Sequence, residues 1–398
     1  MTPGVNRHGG HTSWITPAPG LKVYQGASIP TLNHRKEGSA PATESSQPKI
    51  ITMLSRNRSW STLLLFFYAV VSSLALGATP SVPSGPSDAN ATLADYRRPT
   101  KLPVPRTNPM TPDKVALGQM LFFDPRLSGS GAISCASCHN PALGWGDAMP
   151  KGLGHMGGRL HRHTPTILNV AYGEPYFWDG RAATLEDQAK GPLTSAAEMN
   201  MPAEVAVGRI LSIPGYVSAF AHVFPGQPVS VDTIAAAVAA YERTVVSNTA
   251  PFDKWVGGDE QAVSESAKRG FTLFNGKANC AVCHMGWRMT DDGFHDIGIA
   301  DDDRGRAGVA PGIVQLEHAF KTPTLRNINQ RAPYMHDGSL ATLAAVIDHY
   351  DSGFVKRSSL DTQIHPLDLT PAEKADLLAF LDTLTSVDSP TVLPLLPQ

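Results

Sequence analysis

The residues best suited to chemistry are the four cysteines, because each pair is followed directly by a histidine. The motifs are CASCH (Cys135, Cys138, His139) and CAVCH (Cys280, Cys283, His284). C-x-x-C-H is the attachment signature of haem c, in which the thiols form thioethers to the haem and the histidine binds the iron. One copy could arise by chance or be half of a zinc site. Two copies that use every cysteine predict two covalently bound c-type haems.

Helices must hold these motifs, and the sequence before each motif repeats. TPDKVALGQMLFFD precedes the first motif and SESAKRGFTLFN the second, with Thr111 and Ser264 as expected helix caps. The matched positions are Gly118, Leu121, Phe122 and Gly270, Leu273, Phe274. A closing helix is expected after the capping box Thr370–Glu373. The predicted fold is mainly α, with two c-type-cytochrome-like helical haem domains at 106–258 and 259–388 and long connecting loops.

Residues 53–78 have the layout of a secretory signal peptide. Arg56 and Arg58 precede an apolar run that ends in small residues, an order typical of a cleaved export signal. A retained membrane anchor is the alternative, because the run is nearly long enough to span a bilayer. Residues 1–52 would be a non-native upstream segment, and 79–105 a flexible linker. We therefore expect an exported protein located in the periplasm.

Composition and motif spacing leave two broad functions open. A chain of 398 residues with a net charge of −2 has no basic excess, which argues against nucleic acid as a partner. A haem that only transfers electrons has both axial positions filled, whereas a catalytic haem keeps one position open. The insert of about 140 residues between the two motifs favours an enzyme over a small electron carrier.

Two longer segments carry a family resemblance. HRHTPTILNVAYGEPYFWDGRAATLEDQAKGPLTSAAEMN and FKTPTLRNINQRAPYMHDGSLATL resemble the bacterial dihaem cytochrome c peroxidase superfamily, which includes the MauG-type enzymes. The resemblance extends from Thr111 to Leu384 and implies that the first-domain haem reacts with hydrogen peroxide. It also implies that Glu198 is the acid–base group, Gln188 hydrogen-bonds the ligand, and Trp178 relays electrons between the haems. The structural alternatives are a loop cap for Glu198 and core packing for Trp178.

Three further positions take roles from the same resemblance. Pro192 would help to shape the peroxide pocket. His155 stands where peroxidase members place a histidine that ligates the resting first haem, whereas MauG-type enzymes leave that haem open, so both arrangements are considered. A family asparagine that binds calcium is replaced by His163, and imidazole is a poor ligand for that cation. Calcium is therefore disfavoured but not excluded, because backbone carbonyls near Arg331 and Pro333 remain.

Tyr350 distinguishes the two branches of this family. The position fourteen residues after His336 holds methionine in dihaem peroxidases and tyrosine in MauG-type enzymes, where the side chain ligates the second haem. A phenolate favours higher oxidation states of iron than a thioether does. The resemblance thus implies high-valent haems that share oxidising charge through Trp178. The alternative is that Tyr350 is a surface aromatic and that His349, Met335 or His336 binds the iron.

The sequence as a whole predicts an exported dihaem peroxidase-type oxidoreductase that uses hydrogen peroxide. The expected partner is a protein whose tryptophan or tyrosine is oxidised, as in MauG-type enzymes. One alternative is a cytochrome c peroxidase that takes electrons from a small cytochrome or cupredoxin. Another is a non-catalytic dihaem electron shuttle. The resemblance is also compatible with a homodimer.

Overall fold

The structure, a computed structural model, describes residues 93–398. The expected upstream segment 1–52 and signal peptide 53–78 lie outside the described residues, as does the first part of the expected linker. Within residues 93–398, no helix is long and apolar enough to cross a membrane.

The first domain contains six of the α-helices in the described chain. They are α1 (Pro112–Phe123), α2 (Cys135–Cys138), α3 (Leu185–Thr194), α4 (Ala203–Leu211), α5 (Pro214–Val223) and α6 (Val231–Glu242). Helix α1 begins after Thr111, whose hydroxyl accepts from the Lys114 amide as the sequence predicts. Its buried residues Leu117, Leu121 and Phe122 pack with residues of α4, α5 and α6 in one hydrophobic core.

The second domain has shorter elements and longer loops. Its elements are α7 (Pro251–Val256), α8 (Glu265–Asn275), α9 (Leu343–Asp348), a π-helix (His349–Gly353) and α10 (Pro371–Asp382), with the antiparallel strands β1 (Phe294–His295) and β2 (Phe320–Lys321). Ser264 caps α8, and the expected capping box Thr370–Glu373 starts α10. Helices α7, α8 and α10 contribute to a second hydrophobic core. The predicted mainly α fold is confirmed.

Short 3₁₀ turns connect these elements in both domains. They are Leu93–Tyr96, Pro125–Leu127, Pro141–Leu143, His155–Gly157, Val170–Tyr172, Cys280–Val282, Arg306–Gly308, Val314–Leu316 and Ile328–Gln330.

The same helix crossing organises both domains. A Cβ added to Gly118 of α1 would lie 1.9 Å from the Ala237 carbonyl oxygen of α6. A Cβ added to Gly270 of α8 would lie 1.9 Å from the Asp376 carbonyl oxygen of α10. Any side chain at either glycine would push the two helices apart. The glycines that the sequence aligned therefore mark one repeated structural element.

Two similar loops join the domains. PYFWDG in the first domain and PYMHDG in the second each begin with a cis proline, and Trp178 and His336 occupy the same place in them. The Trp178 carbonyl accepts from the Lys321 amide at 2.8 Å, and the His336 carbonyl accepts from the His163 amide at 2.7 Å. Each loop thus bonds to the segment that precedes the other loop, in a pseudo-twofold arrangement.

The correspondence continues beyond these loops. Thr184 caps α3 and Thr342 caps α9, each through a hydroxyl that accepts from a backbone amide in the first turn. At the same spacing from the loops, Pro192 of α3 corresponds to Tyr350 of the π-helix. The first domain therefore has a proline where the second has a phenol.

Two segments pack against the second core although the sequence placed them before it. Helix α7, expected in the first domain, contributes Phe252 and Trp255 to the second core. Tyr96, expected in a flexible linker, is 1% exposed in that core, and its hydroxyl donates to Asn275 Oδ1 at 2.6 Å. Large aromatic side chains gain much from such burial. Leu93 and Tyr96, which lie in the expected linker 79–105, therefore pack with the second domain.

Candidate haem and peroxide site

Both motif histidines are held in the geometry that an iron ligand needs. His139 Nδ1 donates to the Trp145 carbonyl at 3.1 Å, and His284 Nδ1 donates to the Met289 carbonyl at 2.8 Å. A backbone acceptor at Nδ1 fixes the tautomer and leaves the Nε2 lone pair for a metal. Burial lowers the pKa of both rings, which favours the neutral imidazole that binds iron.

A cavity of about 1130 Å³ extends from the first motif to the contact between the domains. Its size exceeds the roughly 300–1,000 Å³ of ordinary small-molecule pockets. Its wall includes the attachment residues Cys135, Cys138 and His139, and segments of the second domain such as 321–324 and 333–337. The predicted residues Trp178, Gln188, Pro192 and Glu198 also line it. The structure thus brings the first motif and the predicted peroxide-site residues together.

Helix α3 and the turn after it position the polar groups of this cavity. Gln188 and Pro192 are four residues apart on α3 and share one face of the helix. Beyond the helix, the Ser195 carbonyl accepts from the Glu198 amide at 3.1 Å. Burial raises the pKa of the Glu198 carboxyl, and both Arg181 and the Ser195 hydroxyl act against that shift. A raised pKa suits a group that accepts a proton and then returns it.

Trp178 lies at the contact between the domains. Its indole Nε1 donates to the His163 carbonyl at 2.8 Å, and its ring centroid is 6.4 Å from that of His336. Its backbone is held by Lys321 of β2. The indole therefore lines the first-domain cavity and also contacts the second domain, which is the placement that an electron relay requires.

Tyr350 lies beside the second attachment motif. The π-helix that carries it is a rare conformation that often occurs at functional sites. The ring packs in the second core together with Cys280. Burial raises the pKa of the Tyr350 phenol, and the proximity of Cys283 and Cys280 adds to the shift. A ferric ion would act in the opposite direction, because a bound cation stabilises phenolate.

The other candidate ligands of the second haem are engaged elsewhere. His349 Nε2 donates to a backbone carbonyl at 2.9 Å. His336 Nε2 hydrogen-bonds to Asp301, and both His336 and Met335 line the first-domain cavity. Of the four side chains considered, Tyr350 is the one that the structure places against the second motif.

The resemblance drew attention to two further histidines, His155 and His163. The His155 amide donates to the Ala197 carbonyl at 3.0 Å, but His155 is absent from the described residues that line the cavity. Its ring Nδ1 is buried and has no hydrogen-bond partner among the described residues, and ligation of the first haem by His155 stays a prediction. His163 Nδ1 donates to the Met149 carbonyl at 2.7 Å. This nitrogen is therefore occupied by a hydrogen bond, at the position where the resemblance places a calcium-binding amide oxygen.

Buried donors near the second motif fit a haem. Arg326 is 1% exposed; its Nε donates to the Trp287 carbonyl at 2.6 Å and its Nη1 lies 3.0 Å from Asp253 Oδ1. Arg326 Nη2 and Trp287 Nε1 are buried without a hydrogen-bond partner among the described residues. Such groups rarely stay unpaired, and the propionates of a haem bound through His284 would supply acceptors. The residues present therefore fit the cofactor.

Sequence reasoning missed two features of the site. One is Glu242, which is 4% exposed at the end of α6 and lines the same cavity. A carboxyl in the apolar helix AAAVAAYE was the available signal, because glutamate is seldom buried without a partner. The other is the correspondence of Pro192 with Tyr350. Their equal spacing from Trp178 and His336 was visible in the sequence.

Family models and curated relatives match most of the described chain. The model described as Di-haem cytochrome c peroxidase matches residues 112–261, and the model described as Cytochrome c matches residues 267–385. The methylamine utilization protein MauG of Methylorubrum extorquens is 48% identical over 323 residues, which cover 80% of this chain and 92% of that protein. The cytochrome c551 peroxidase of Pseudomonas aeruginosa is 34% identical over 303 residues, which cover 73% and 84%.

A solved structure supports the same assignment. The crystal structure of a MauG-like protein associated with microbial copper homeostasis matches with a TM-score of 0.67 and 34% identity, and the match covers 73% of this chain and 95% of that chain. These matches and the two fitted motifs show two covalently bound c-type haems and a peroxidase-type oxidoreductase that requires peroxide and a protein partner. The chain belongs to the dihaem cytochrome c peroxidase family and is MauG-like within it.

Proposed function

We propose that this protein uses hydrogen peroxide at its first haem to oxidise aromatic side chains of a partner protein, with Tyr350 as the distal iron ligand of its second haem. The observation that carries the proposal is the position of Tyr350, which is partly buried near Cys280 and Cys283, while His349 and His336 are bonded elsewhere. The similarity to methylamine utilization proteins MauG supports it. The haems, when bound, supply the redox chemistry that cleaves peroxide and stores its oxidising equivalents.

The cavity residues prepare peroxide for cleavage. The Glu198 carboxylate would take a proton from one peroxide oxygen and return it to the other, so that the O–O bond could break with loss of water while the haems supply the two electrons. The Gln188 amide donates a hydrogen bond to the same ligand and orients it. Pro192 has no group that binds metal, so it would leave this side of a bound haem accessible to peroxide. Trp178 moves electrons between the two sites because its indole contacts both domains.

The proposed partner follows from this redox chemistry, and the proposed compartment follows from the sequence. We infer that the partner presents tryptophan or tyrosine, because oxidising equivalents that a phenolate ligand helps to stabilise on the haems would be strong enough to oxidise these side chains. A small cytochrome or cupredoxin is the donor under the competing cytochrome c peroxidase function. We place the protein in the periplasm, on the basis of the basic and apolar segment at 53–78 and the two haem-attachment motifs.

Electron paramagnetic resonance of the oxidised holoprotein, before and after one equivalent of peroxide, tests this function. We expect a high-spin signal from the first haem and a low-spin signal from the second, and we expect both to be lost without any added donor. Two low-spin signals that respond to peroxide only after half-reduction would instead indicate His155 ligation and a cytochrome-fed peroxidase.

Replacement of Tyr350 tests the ligand itself. Tyr350→Phe should convert the low-spin signal of the second haem to high spin. Tyr172→Phe, which also removes one phenol but keeps the ring packed on Trp287, is the matched control and should leave the signal unchanged. A second-haem spectrum that is the same in wild type and Tyr350→Phe would exclude Tyr350 as a ligand.

A further inference from the structure

Helix α6 ends in a carboxyl that none of the roles above uses. Glu242 is 4% exposed and lines the first-haem cavity, as Cys135 does. Its Oε2 is buried and has no hydrogen-bond partner among residues 93–398. A buried carboxylate without a partner is costly, so this group needs either a proton or a positive charge within the cavity.

The adjacent guanidinium is already paired with another carboxylate. Arg243 Nη1 and Nη2 donate to the two carboxylate oxygens of Glu186 at 2.7 and 3.0 Å. Glu186 also accepts from Asn108 Nδ2 at 2.6 Å. The hydrogen bonds of Arg243 thus go to Glu186. Burial raises the pKa of Glu242 to about 8, with Arg243 lowering it and Glu186 raising it further.

The second domain shows that the helix crossing does not require this carboxyl. Gly118 faces Tyr241 in one crossing, and Gly270 faces Phe380 in the other. The next residues along α6 and α10, Glu242 and Leu381, are therefore equivalent. Leu381 is 8% exposed in the second apolar core. The repeated fold is satisfied by a leucine here, so the glutamate is a property of the first haem site.

We propose that the Glu242 carboxylate binds a proton when the first haem gains an electron. It releases that proton when the electron leaves. The electron comes from a reduced donor, and the proton comes from solvent and forms the O–H bond of a carboxylic acid. The physical reason is charge balance, because an added electron removes the positive charge that stabilises the carboxylate in a dry site. This inference does not depend on the ligand of the second haem or on the identity of the partner.

Several titratable groups face Glu242 from the elements around it. They are Tyr241 and Arg243 near the end of α6, Glu186 of α3, Tyr176 of the interdomain loop and Cys135 of the first motif. Glu198 lines the same cavity. Cys135 is a thioether in the holoprotein and does not titrate. Tyr176 and Tyr241 have pKa values raised by burial to about 12, and the pKa of Glu186 is lowered. Glu242 and Glu198 remain as carboxyls whose pKa is raised.

The test is a spectroelectrochemical titration of the first haem in the holoprotein, with mediator dyes as electron donors, from about pH 6 to about pH 10. In wild type, near the pH at which Glu242 titrates, we expect the equilibrium constant for reduction of the first haem to change tenfold for each pH unit. This corresponds to about 59 mV per pH unit for one electron. The potential should fall as pH rises. Glu242→Gln, which keeps the shape but cannot ionise, should remove this slope, and so should Glu242→Leu, which copies the second domain. Glu198→Gln should retain it.

Three results would overturn the proposal: a flat wild-type profile, a slope that survives in Glu242→Gln, or a slope lost only in Glu198→Gln. A second measurement needs no variant that could fail to fold. Reduced-minus-oxidised infrared difference spectra of wild type near the transition should show a carboxylic-acid carbonyl band that appears on reduction, and its absence would also overturn the proposal. The haem content of each variant, measured per chain, confirms that the compared proteins are equally loaded.

Discussion

The two haem domains share their proximal architecture and differ on the distal side. In both, a glycine lets two helices cross in contact, and the motif histidine donates from Nδ1 to a backbone carbonyl. On the distal side, the first domain has Pro192 where the second has Tyr350. The first distal side opens into a cavity that reaches the domain contact, whereas Tyr350 is packed in the second core.

This difference shows how one duplicated fold supports two kinds of haem. Cofactor attachment and the proximal ligand depend on a motif and a helix crossing, both of which tolerate little change. Function then depends on a few distal positions that the fold leaves free to vary. Under the proposed function, Pro192, which cannot bind metal, would leave the first haem reactive, and Tyr350 at the equivalent place would close the second haem to peroxide.

Among the changes that distinguish the two haem sites, removal of the Glu198 carboxyl should have the largest effect on the reaction with peroxide. Glu198→Gln keeps the shape of the side chain but cannot carry the proton between the peroxide oxygens. We expect the rate of reaction with peroxide to fall by about 10²–10⁴-fold, and stopped-flow absorbance of the first haem measures it. Glu204→Gln, an exposed change on α4, should react like wild type. Equal rates for Glu198→Gln and wild type would assign Glu198 a purely structural role.

The direction in which the rate of this reaction changes with pH is also predicted. Glu198 must be ionised to take a proton, and burial raises its pKa above that of an ordinary glutamate. The rate should therefore decrease as pH falls through this raised pKa, at a higher pH than an exposed carboxyl would give. The Glu198→Gln variant should have lost this acidic limb.

Exchange of the distal residue should have the next largest effect. Pro192→Tyr gives the first domain the phenol of the second, at a point where removal of a proline from within α3 imposes no strain. If the new phenol reaches the iron, the high-spin signal should become low spin and peroxide should react at least about tenfold more slowly, because its position is filled. Pro192→Ala separates loss of the proline from gain of the phenol and should keep the high-spin signal. A high-spin signal in Pro192→Tyr would show that the two distal positions are not equivalent.

Substitution of the crossing glycines should affect both domains alike. Gly118→Ala and Gly270→Ala each place a Cβ 1.9 Å from a carbonyl oxygen of the partner helix, and we expect losses of about 1–3 kcal/mol in the free energy of unfolding from overpacking. Gly208→Ala in α4 meets no neighbouring atom within 4 Å and should stabilise by about 0.5–1 kcal/mol through helix propensity. Denaturant unfolding of the holoproteins measures all three. A large effect at one crossing glycine and none at the other would show that the crossings are not equivalent.

Local signals in the sequence were enough for the helices and the attachment chemistry. The caps Thr111, Ser264 and Thr370 are visible as short patterns, because capping depends on residues within one helical turn. The C-x-x-C-H motifs are equally local. The resemblance supplied Glu198 and Tyr350, whose places along the chain do not by themselves indicate which cavity they face.

Long-range packing accounts for what the sequence could not predict. Tyr96 precedes the first domain in the chain yet is buried in the second core, which no nearby residue indicates. His155 has the spacing of a ligand, but spacing alone does not tell whether its ring reaches the first haem. Glu242 looks like an ordinary helix terminus until α1 and α6 are seen to cross beside the first motif. Each of these depends on contacts between segments far apart in sequence.

The ion pair between the domains should give the smallest effect. Arg162 of the first domain donates to both carboxylate oxygens of Asp303 in the second, at 2.7 and 2.9 Å, and also to Asp179 at 2.7 Å. Arg162→Ala should reduce stability by about 1 kcal/mol, because the pair is partly exposed and screened by solvent. Arg304→Ala removes the more exposed pair with Glu317 and should have no measurable effect.

The pH dependence of this loss identifies the carboxylate involved. Burial acts to raise the pKa of Asp303, but the hydrogen bonds from Arg162 and from the backbone outweigh it and hold the pKa at about 2. A folded-state pKa below the ordinary value means that the pair stabilises the protein above the carboxyl range and loses this effect as pH falls toward 2. The stability difference between wild type and Arg162→Ala should therefore shrink as the solution is acidified. A difference that is constant down to the acid limit would mean that Arg162 acts through its packing on Phe320 and not through the charge of Asp303.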